Sequence, residues 1–311
     1  TWLSNTDVDH DTFAVTYSSF LEPSTLYWID AKTLERRVLD RAPERFDASP
    51  YASRQFFATS KDGTRVPSFL VGPKTLEEER RYPVALGGYG GFPIPQRPRY
   101  LGARGRNWLD RGGIHVVANI RGGGEYGPRW HEAARREKRH KAFEDFEAVA
   151  EDLVQRGVTT PSRLAIRGGS NGGLLVGACL TRRPELFGAV VCQAPLLDML
   201  RYQELLAGAS WVAEYGDPDV PTDRAFLKAY SPYHNLEKGR PYPRVLFTTS
   251  TKDDRVHPGH ARKMAARMQA LGYPVLFYEN TEGGHAGAAG ARQRAHLSAL
   301  VTTYLLTELA D

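Results

Sequence analysis

Short apolar runs alternate with helix-like segments through most of the sequence, and this alternation constrains the fold most. "YPVALGG" and "GIHVVAN" are strand-like, helical periodicity follows over about 130–156, and the strand-like "RLAIRGG" and "GAVVCQAP" flank a helical stretch from Asn171. The strand-like "PRVLFTTS" and "YPVLFYEN" then enclose one helix, and a last helix is expected at about 290–309. Strands that alternate with helices form βαβ units. The sequence therefore predicts an α/β fold with a mostly parallel sheet flanked by helices.

The first fifty residues follow a different pattern. "DTFAVTYSSF" and "STLYWIDAKT" are β-type runs separated by the turn-like "LEPS", which predicts a β-hairpin. A hairpin of this size cannot bury a core of its own. We therefore divide the chain into a β-segment over residues 1–50 and an α/β domain over residues 51–311.

Composition and charge exclude several classes of protein. The net charge is +5 and 25% of the residues are charged, which is ordinary for a globular protein. No apolar run approaches the roughly 18 residues of a membrane span. The basic run "RREKRHK" is followed at once by the acidic "FEDFEAVAED", a pattern that indicates a solvated helix. We expect a soluble protein with neither a membrane nor a nucleic acid as its partner, in the cytoplasm rather than the periplasm or medium.

The two cysteines, Cys179 and Cys192, lie in apolar segments. Two thiols form neither a disulfide framework nor a zinc cluster, so we expect both to be core residues. The sequence accordingly predicts neither a metal site nor a cofactor.

Ser170 lies in the stretch "GGSNG", which matches the pattern G-x-S-x-G. In hydrolases this pattern holds a nucleophilic serine on a strained turn, provided that a strand precedes it and a helix follows it. Both are expected here. A glycine-rich turn with an incidental serine is the alternative, and we favour the nucleophile because of the strand and the helix.

A serine nucleophile requires a base, which in this type of sheet follows it in the chain. The downstream histidines are His234, His257, His260, His285 and His296. His285 follows the strand-like "YPVLFYEN" in the loop "TEGGH", whose glycines allow the loop to bend over the serine. We therefore select His285 as the base.

The acid that orients the base is expected after "PRVLFTTS", where Asp253 and Asp254 are adjacent. Spacing does not choose between them. The backbone N–H of Asn171 is expected to be one oxyanion donor, because it follows the nucleophile. The glycine-rich loop "GGYGG" is expected to supply the second, and Tyr89 within it adds a phenolic donor, although spacing alone favours packing of this ring equally.

Several motifs then agree in their order along the chain. They are "GGYGGF", "ANIRGGGEYG", "GGSNGGLL", "RPELFGAVV", "LLDMLRY", "WVAEYG", "YSPYHN", "DDRV" and "GGH". With these motifs the chain resembles the prolyl oligopeptidase family from about residue 51 to its end. That family has a serine peptidase domain of α/β-hydrolase fold and a β-propeller that restricts access to short peptides.

The resemblance implies a role for individual residues. It implies that Asp253 is the catalytic acid and that Tyr89 is the second oxyanion donor. Arg255 would bind a carbonyl of the peptide, and Trp211 would stack on the proline ring. The remaining pocket positions implied by the resemblance are Phe92, Asn171, Tyr215, Val256 and Leu196.

The sequence also departs from the family pattern. Residues 1–50 resemble only the end of the last propeller blade, and the chain begins at Thr1, so we expect a piece of a longer enzyme whose propeller belongs to the same original chain. The segment between Asp253 and His285 is short and marks a divergent subfamily. Oligopeptidase B, which cleaves after basic residues, usually has alanine where this chain has Asn171.

The function predicted from the sequence is hydrolysis of short proline-containing peptides on the carboxyl side of proline. It would proceed through an acyl-enzyme on Ser170, with Asp253 and His285 completing the triad. The alternatives are a carboxylesterase or lipase on the same fold, an oligopeptidase of broader specificity, and an inactive hydrolase-like fragment.

Overall fold

The computed structural model describes residues 2–6 and 11–310. The strands are β1 (Trp2–Thr6), β2 (Thr12–Tyr17), β3 (Thr25–Asp30), β4 (Arg36–Arg41), β5 (Tyr51–Thr59), β6 (Arg65–Pro73), β7 (Val84–Gly87), β8 (Ile114–Ala118), β9 (Leu164–Gly169), β10 (Ala189–Gln193), β11 (Val245–Ser250) and β12 (Val275–Asn280). The helices are α1 (Ala103–Trp108), α2 (Pro128–Glu132), α3 (His140–Gln155), α4 (Asn171–Arg182), α5 (Val212–Tyr215), α6 (Pro221–Tyr230), α7 (Gly259–Ala270) and α8 (Ala291–Glu308). The last helix was predicted at about the same bounds. Within the described part of the chain, no helix is both long and apolar enough to cross a membrane.

The first of two compact units consists of Thr1–Arg54, Val71–Leu76 and Arg97–Ile114. It contains an antiparallel sheet in the order β1-β2-β3-β4. The predicted hairpin is confirmed by the pairing of β2 with β3, and a further strand flanks it on each side. The ring of Phe46 stacks on that of Tyr100, with centroids 5.7 Å apart. This unit therefore includes later segments that the sequence reading assigned to the α/β domain.

The second unit consists of Gln55–Leu70, Glu77–Gln96 and His115–Asp311. The larger sheet has eight strands in the order β12-β11-β10-β9-β7-β8-β6-β5. Its neighbours from β7 through β9, β10 and β11 to β12 pair in parallel. The predicted α/β fold with a mostly parallel sheet is thereby confirmed. Parallel strands direct their carboxyl ends to one edge of the sheet, where the loops that carry functional groups lie.

The central strands and α4 form the core of the second unit. Strands β9, β10 and β11 are buried almost throughout, which explains their continuous apolar sequence. Both cysteines are free thiols and are buried, as predicted. The thiol of Cys192 donates a hydrogen bond to the carbonyl of Gly173 at 3.4 Å, which links β10 to α4.

The segment predicted as one solvated helix over about 130–156 differs from that prediction in two ways. It is divided into α2 and α3, with Arg136 between them at a φ of 51°. The charged side chains of Arg139 and Asp145 are also buried, with 1% and 0% exposed. Asp145 accepts hydrogen bonds from Arg121, the shortest at 2.6 Å. Oppositely charged side chains from other segments therefore allow the charged residues of this segment to be buried in the core.

Candidate active site

Ser170 occupies a tight turn between β9 and α4, as the sequence predicted. Its φ of 58° and ψ of −120° are unfavourable for a residue with a side chain. The turn is held because Ser170 N–H donates to the carbonyl of Gln193 at 2.9 Å, and the Ser170 carbonyl accepts the N–H of Gly173 at 2.8 Å. A strained residue fixed in this way presents its side chain at the carboxyl edge of the sheet.

The neighbouring glycines permit this turn because no side chain would fit. A Cβ at Gly168 would lie 2.0 Å from the carbonyl oxygen of Gly172. A Cβ at Gly172 would in turn lie 2.9 Å from the carbonyl oxygen of Gly88. The strand, the helix and the "GGYGG" loop therefore approach one another closely around Ser170.

Asp253 and His285 lie in the loops that follow β11 and β12, and they are hydrogen-bonded. Nδ1 of His285 lies 2.8 Å from Oδ2 and 3.1 Å from Oδ1 of Asp253. Oδ1 of Asp253 also accepts the backbone N–H groups of Arg255 and Val256, each at 2.9 Å. Burial raises the pKa of Asp253, but the bonds from His285 and the two N–H groups hold it below its usual value. Asp253 is therefore an ionised carboxylate, whereas its neighbour Asp254 is exposed.

His285 and Ser170 line the same cavity, which has a volume of about 280 Å³. The other residues around it include Arg167, Gln193, Thr248, Tyr278 and Leu297. With Nδ1 of His285 held by Asp253, its Nε2 is the ring nitrogen left for the serine hydroxyl. The structure thus brings the predicted nucleophile, base and acid to one edge of the sheet.

The other downstream histidines contact other parts of the protein. Nδ1 of His234 lies 2.9 Å from the hydroxyl of Ser231. Nδ1 of His257 accepts the N–H of Gly259 at 2.9 Å. The ring of His296 packs at 5.5 Å from that of Tyr278. His260 is only 2% exposed, and its Nδ1 accepts the backbone N–H of Asp198 at 3.1 Å.

Burial of His260 should make the fold sensitive to acid. Burial lowers the pKa of His260 from 6.5 to about 4, so between these values the unfolded chain binds a proton that the folded chain does not. Stability contributed by neutral His260 is complete above pH 6.5 and is lost as the pH falls toward 4, by up to about 3 kcal/mol. Chemical unfolding of His260→Gln across this range should show a weaker pH dependence than wild type. His257→Gln is the control, and an unchanged pH dependence in His260→Gln would contradict the assignment.

Tyr89 and Asn171 meet beside Ser170. Burial raises the pKa of the Tyr89 phenol, while a side-chain hydrogen bond with Ser170 and the charge of Arg255 act against that rise. Asn171 is 2% exposed. Its Nδ2 donates to the Tyr89 carbonyl at 2.5 Å, and its Oδ1 accepts the hydroxyl of Tyr215 at 2.8 Å. The backbone N–H of Asn171 lies in the first turn of α4, where N–H groups have no partner within the helix.

Three of the predicted pocket residues form an aromatic group. The Phe92 ring contacts Trp211 at 6.5 Å and Tyr215 at 5.5 Å, both edge to face. Phe92 and Trp211 are partly exposed, whereas Tyr215 has no exposed surface. Two further predicted residues, Val256 and Leu196, are 2% and 1% exposed.

Arg255 contacts the segment that leads to Trp211. It is exposed, and its carbonyl accepts the N–H of Ala207 at 3.3 Å, in the segment that leads to Trp211. Among the described residues, no group of three or more His, Cys, Asp or Glu side chains is arranged to hold a metal ion.

Sequence reasoning missed two buried charges next to the predicted site. Glu214, with 6% of its side chain exposed, pairs with Arg139, with 1% exposed, at 2.5 Å. Burial raises the pKa of Glu214, but Arg139 and His131 together hold it below its usual value. Glu214 lies within "WVAEYG", one of the matched motifs, and this position could have indicated that it lies beside the site. Arg139 lies in the basic run that indicated a solvated surface.

Comparisons with known proteins identify relatives along the chain. The sequence profile of the Prolyl oligopeptidase family matches residues 103–311. An uncharacterized peptidase of Sinorhizobium fredii is 50% identical over 309 residues, which are 99% of this chain and 43% of that protein. A prolyl endopeptidase of Elizabethkingia miricola is 36% identical over 297 residues, which are 94% of this chain and 42% of that protein.

A solved structure agrees with these sequence matches. The post-proline cleaving enzyme from Rickettsia typhi superposes with a TM-score of 0.91 and is 39% identical, over 99% of this chain and 44% of that chain. The superposition confirms the α/β-hydrolase fold. The chain spans less than half the length of these relatives. By its sequence and its fold, the chain belongs to the prolyl oligopeptidase family of serine peptidases.

Proposed function

We propose that this chain is the peptidase part of an enzyme that cleaves short peptides on the carboxyl side of proline. The observation that carries the proposal is the hydrogen-bonded pair of Asp253 and His285, with His285 on the same cavity as the strained Ser170. Relatives named prolyl endopeptidase and post-proline cleaving enzyme support the choice of proline.

In the proposed mechanism, Ser170 Oγ attacks the carbonyl carbon of the prolyl residue while His285 accepts its proton. The ionised Asp253 keeps the imidazole in the required tautomer and stabilises the imidazolium that forms. His285 then gives the proton to the leaving amine, and the C–N bond breaks. Water, activated by the same histidine, hydrolyses the acyl-enzyme and restores Ser170.

The tetrahedral intermediate carries a negative oxygen, which two donors would stabilise. In the proposal they are the N–H of Asn171 and the hydroxyl of Tyr89, whose pKa is affected by its hydrogen bond with Ser170. The Tyr89 backbone is fixed by the Asn171 side chain. Donors that are fixed before the reaction stabilise the developing charge without a cost of reorganisation.

The proline ring would stack on Trp211, in the corner that this ring forms with the edge-to-face ring of Phe92. A proline ring is apolar and has no N–H to satisfy, so an aromatic slot suits it. Tyr215, Val256 and Leu196 would form the remaining surface of this slot. Arg255 would donate to a carbonyl of the extended peptide, because its guanidinium offers several donors in a fixed arrangement.

A propeller domain in the longer protein forms part of the proposal. The chain covers 42–44% of three relatives, and residues 1–50 would be the end of the last propeller blade. In the longer protein the propeller would restrict entry to short peptides.

Turnover of matched substrates tests the proposed function. The full-length protein should hydrolyse a blocked Gly-Pro amide at least about tenfold faster, in kcat/KM, than the corresponding Gly-Ala amide. A fluorophosphonate probe should label wild type at Ser170 and should not label Ser170→Ala. The labelling shows that the serine reacts even where a substrate is poorly chosen.

Each contrary result favours a particular alternative. Turnover of short-chain esters alone would indicate a carboxylesterase or lipase. Equal turnover of the prolyl and alanyl amides would indicate an oligopeptidase of broader specificity. Failure of the probe to label the folded protein would indicate a hydrolase-like fragment without activity.

A further inference from the structure

Glu214 is a buried carboxylate that contacts three separate parts of the second unit. Its Oε1 accepts hydrogen bonds from the Arg139 guanidinium at 2.5 Å and from the Phe92 backbone N–H at 3.2 Å. Its Oε2 lies 2.7 Å from Nε2 of His131, on α2. Glu214 itself belongs to α5 and follows Trp211 by three residues. One side chain thus joins the two segments that carry Phe92 and Trp211.

The Phe92 backbone needs such a contact. Its φ of 54° lies in the left-handed region, which is unfavourable for an aromatic residue. Conformations of this kind persist only where the surrounding structure fixes them. The hydrogen bond from Phe92 N–H to Glu214 holds this backbone conformation.

Arg139 contacts the same loop at a second point. Its Nη1 donates to the carbonyl of Gly90 at 2.6 Å, and its guanidinium lies 5.1 Å from the centre of the Tyr215 ring. Gly90 lies between Tyr89 and Phe92 in the chain. Glu214 and Arg139 therefore determine the shape of the loop as an ion pair, each through its own hydrogen bond to the loop backbone.

We infer that Glu214 is a specificity-determining positioning residue, which Arg139 and His131 hold so that Phe92 and Trp211 form the two walls of the proline slot. The inference rests on the proposed function. Glu214 touches no substrate in this account; it acts through the rings of Phe92 and Trp211.

The charge of Glu214 distinguishes this role from simple hydrogen bonding. A glutamine at position 214 retains an oxygen that can accept the Phe92 N–H. It cannot neutralise the buried guanidinium of Arg139, so Arg139 and the loop carbonyl of Gly90 should shift. The substitution should therefore loosen the slot and leave Ser170, Asp253 and His285 in place.

The test compares Glu214→Gln with Glu147→Gln in the full-length protein. Glu147 is a matched control because it is equally buried, with 6% exposed. It lies on α3 and pairs with Arg182 of α4 at 2.7 and 3.1 Å. We measure kcat and KM on the prolyl and alanyl amides and the rate at which the fluorophosphonate labels Ser170. In Glu214→Gln the preference for proline should fall about tenfold, mainly through a higher KM for the prolyl amide. The labelling rate should stay within about twofold, and Glu147→Gln should keep the wild-type preference.

Three results would overturn the inference. An unchanged preference in Glu214→Gln would exclude the positioning role, and an equal loss on both amides and in labelling would indicate a general structural role. If Glu214→Gln does not fold, Glu214→Asp replaces it in the test. Aspartate keeps the charge but is too short to reach the Phe92 N–H, so the same fall in the preference for proline is required. A wild-type protein without a preference for proline would instead overturn the proposed function and this inference with it.

Discussion

Asp253→Asn should lower kcat/KM for the prolyl amide by about 10⁴-fold, whereas Asp254→Asn should stay within about twofold of wild type. The two residues are adjacent and chemically identical, but only Asp253 contacts His285. An asparagine at 253 would present an amide that cannot stabilise the imidazolium, and its NH₂ group would favour the wrong tautomer of His285. Asp254 is exposed, and its substitution changes only the charge of the surface.

The comparison is clean because Asp253→Asn should still fold. Its Oδ1 can continue to accept the backbone N–H groups of Arg255 and Val256. Steady-state kinetics on both variants, with thermal unfolding to verify the fold, measures the difference. Comparable losses in both variants would show that the acid is shared or has been assigned to the wrong residue.

Tyr89→Phe should lower kcat for the prolyl amide by about 10²-fold with little change in KM. The hydroxyl of Tyr89 would contact the substrate oxygen mainly after it has become negative, so its removal affects the transition state more than binding. The ring remains to pack, and the hydrogen bond from Asn171 to residue 89 is to a backbone carbonyl, which the substitution retains.

Tyr126→Phe is the matched control for this substitution. Tyr126 lies 58% exposed and packs against Trp130, with centroids 5.1 Å apart. It should retain wild-type kinetics. A wild-type kcat in Tyr89→Phe would mean that this hydroxyl takes no part in stabilising the oxyanion.

The main features of the fold, and the proposed nucleophile and base, could be predicted from local sequence. The stretch around Ser170 combines an apolar strand, glycines and a helix, and each of these has a local physical cause. The position of His285 in the glycine-containing loop after the strand-like "YPVLFYEN" then separated it from the other histidines. The choice between Asp253 and Asp254 could not be made from spacing, because it depends on which carboxylate the loop after β11 turns inward.

The burial of charges was not predictable in the same way. Arg139 and Asp145 belong to a strongly charged run, and they are buried because Glu214 and Arg121 lie opposite them in the fold. Strand β4 was not predicted either, because all six of its residues are exposed and no apolar alternation marks the strand. Such features arise from contacts between distant segments, which a local pattern does not contain.

The burial of Cys179 and Cys192 has a practical consequence. Burial raises the pKa of both thiols, so at neutral pH neither forms the thiolate that reacts with maleimides. These are the two cysteines in the sequence. A cysteine introduced at Ile94, which is 43% exposed and two residues beyond Phe92, would carry a fluorophore without prior removal of native sulfur. The chain is therefore suited to fluorescence measurements of how the loop beside Ser170 responds when a proline-containing peptide is added.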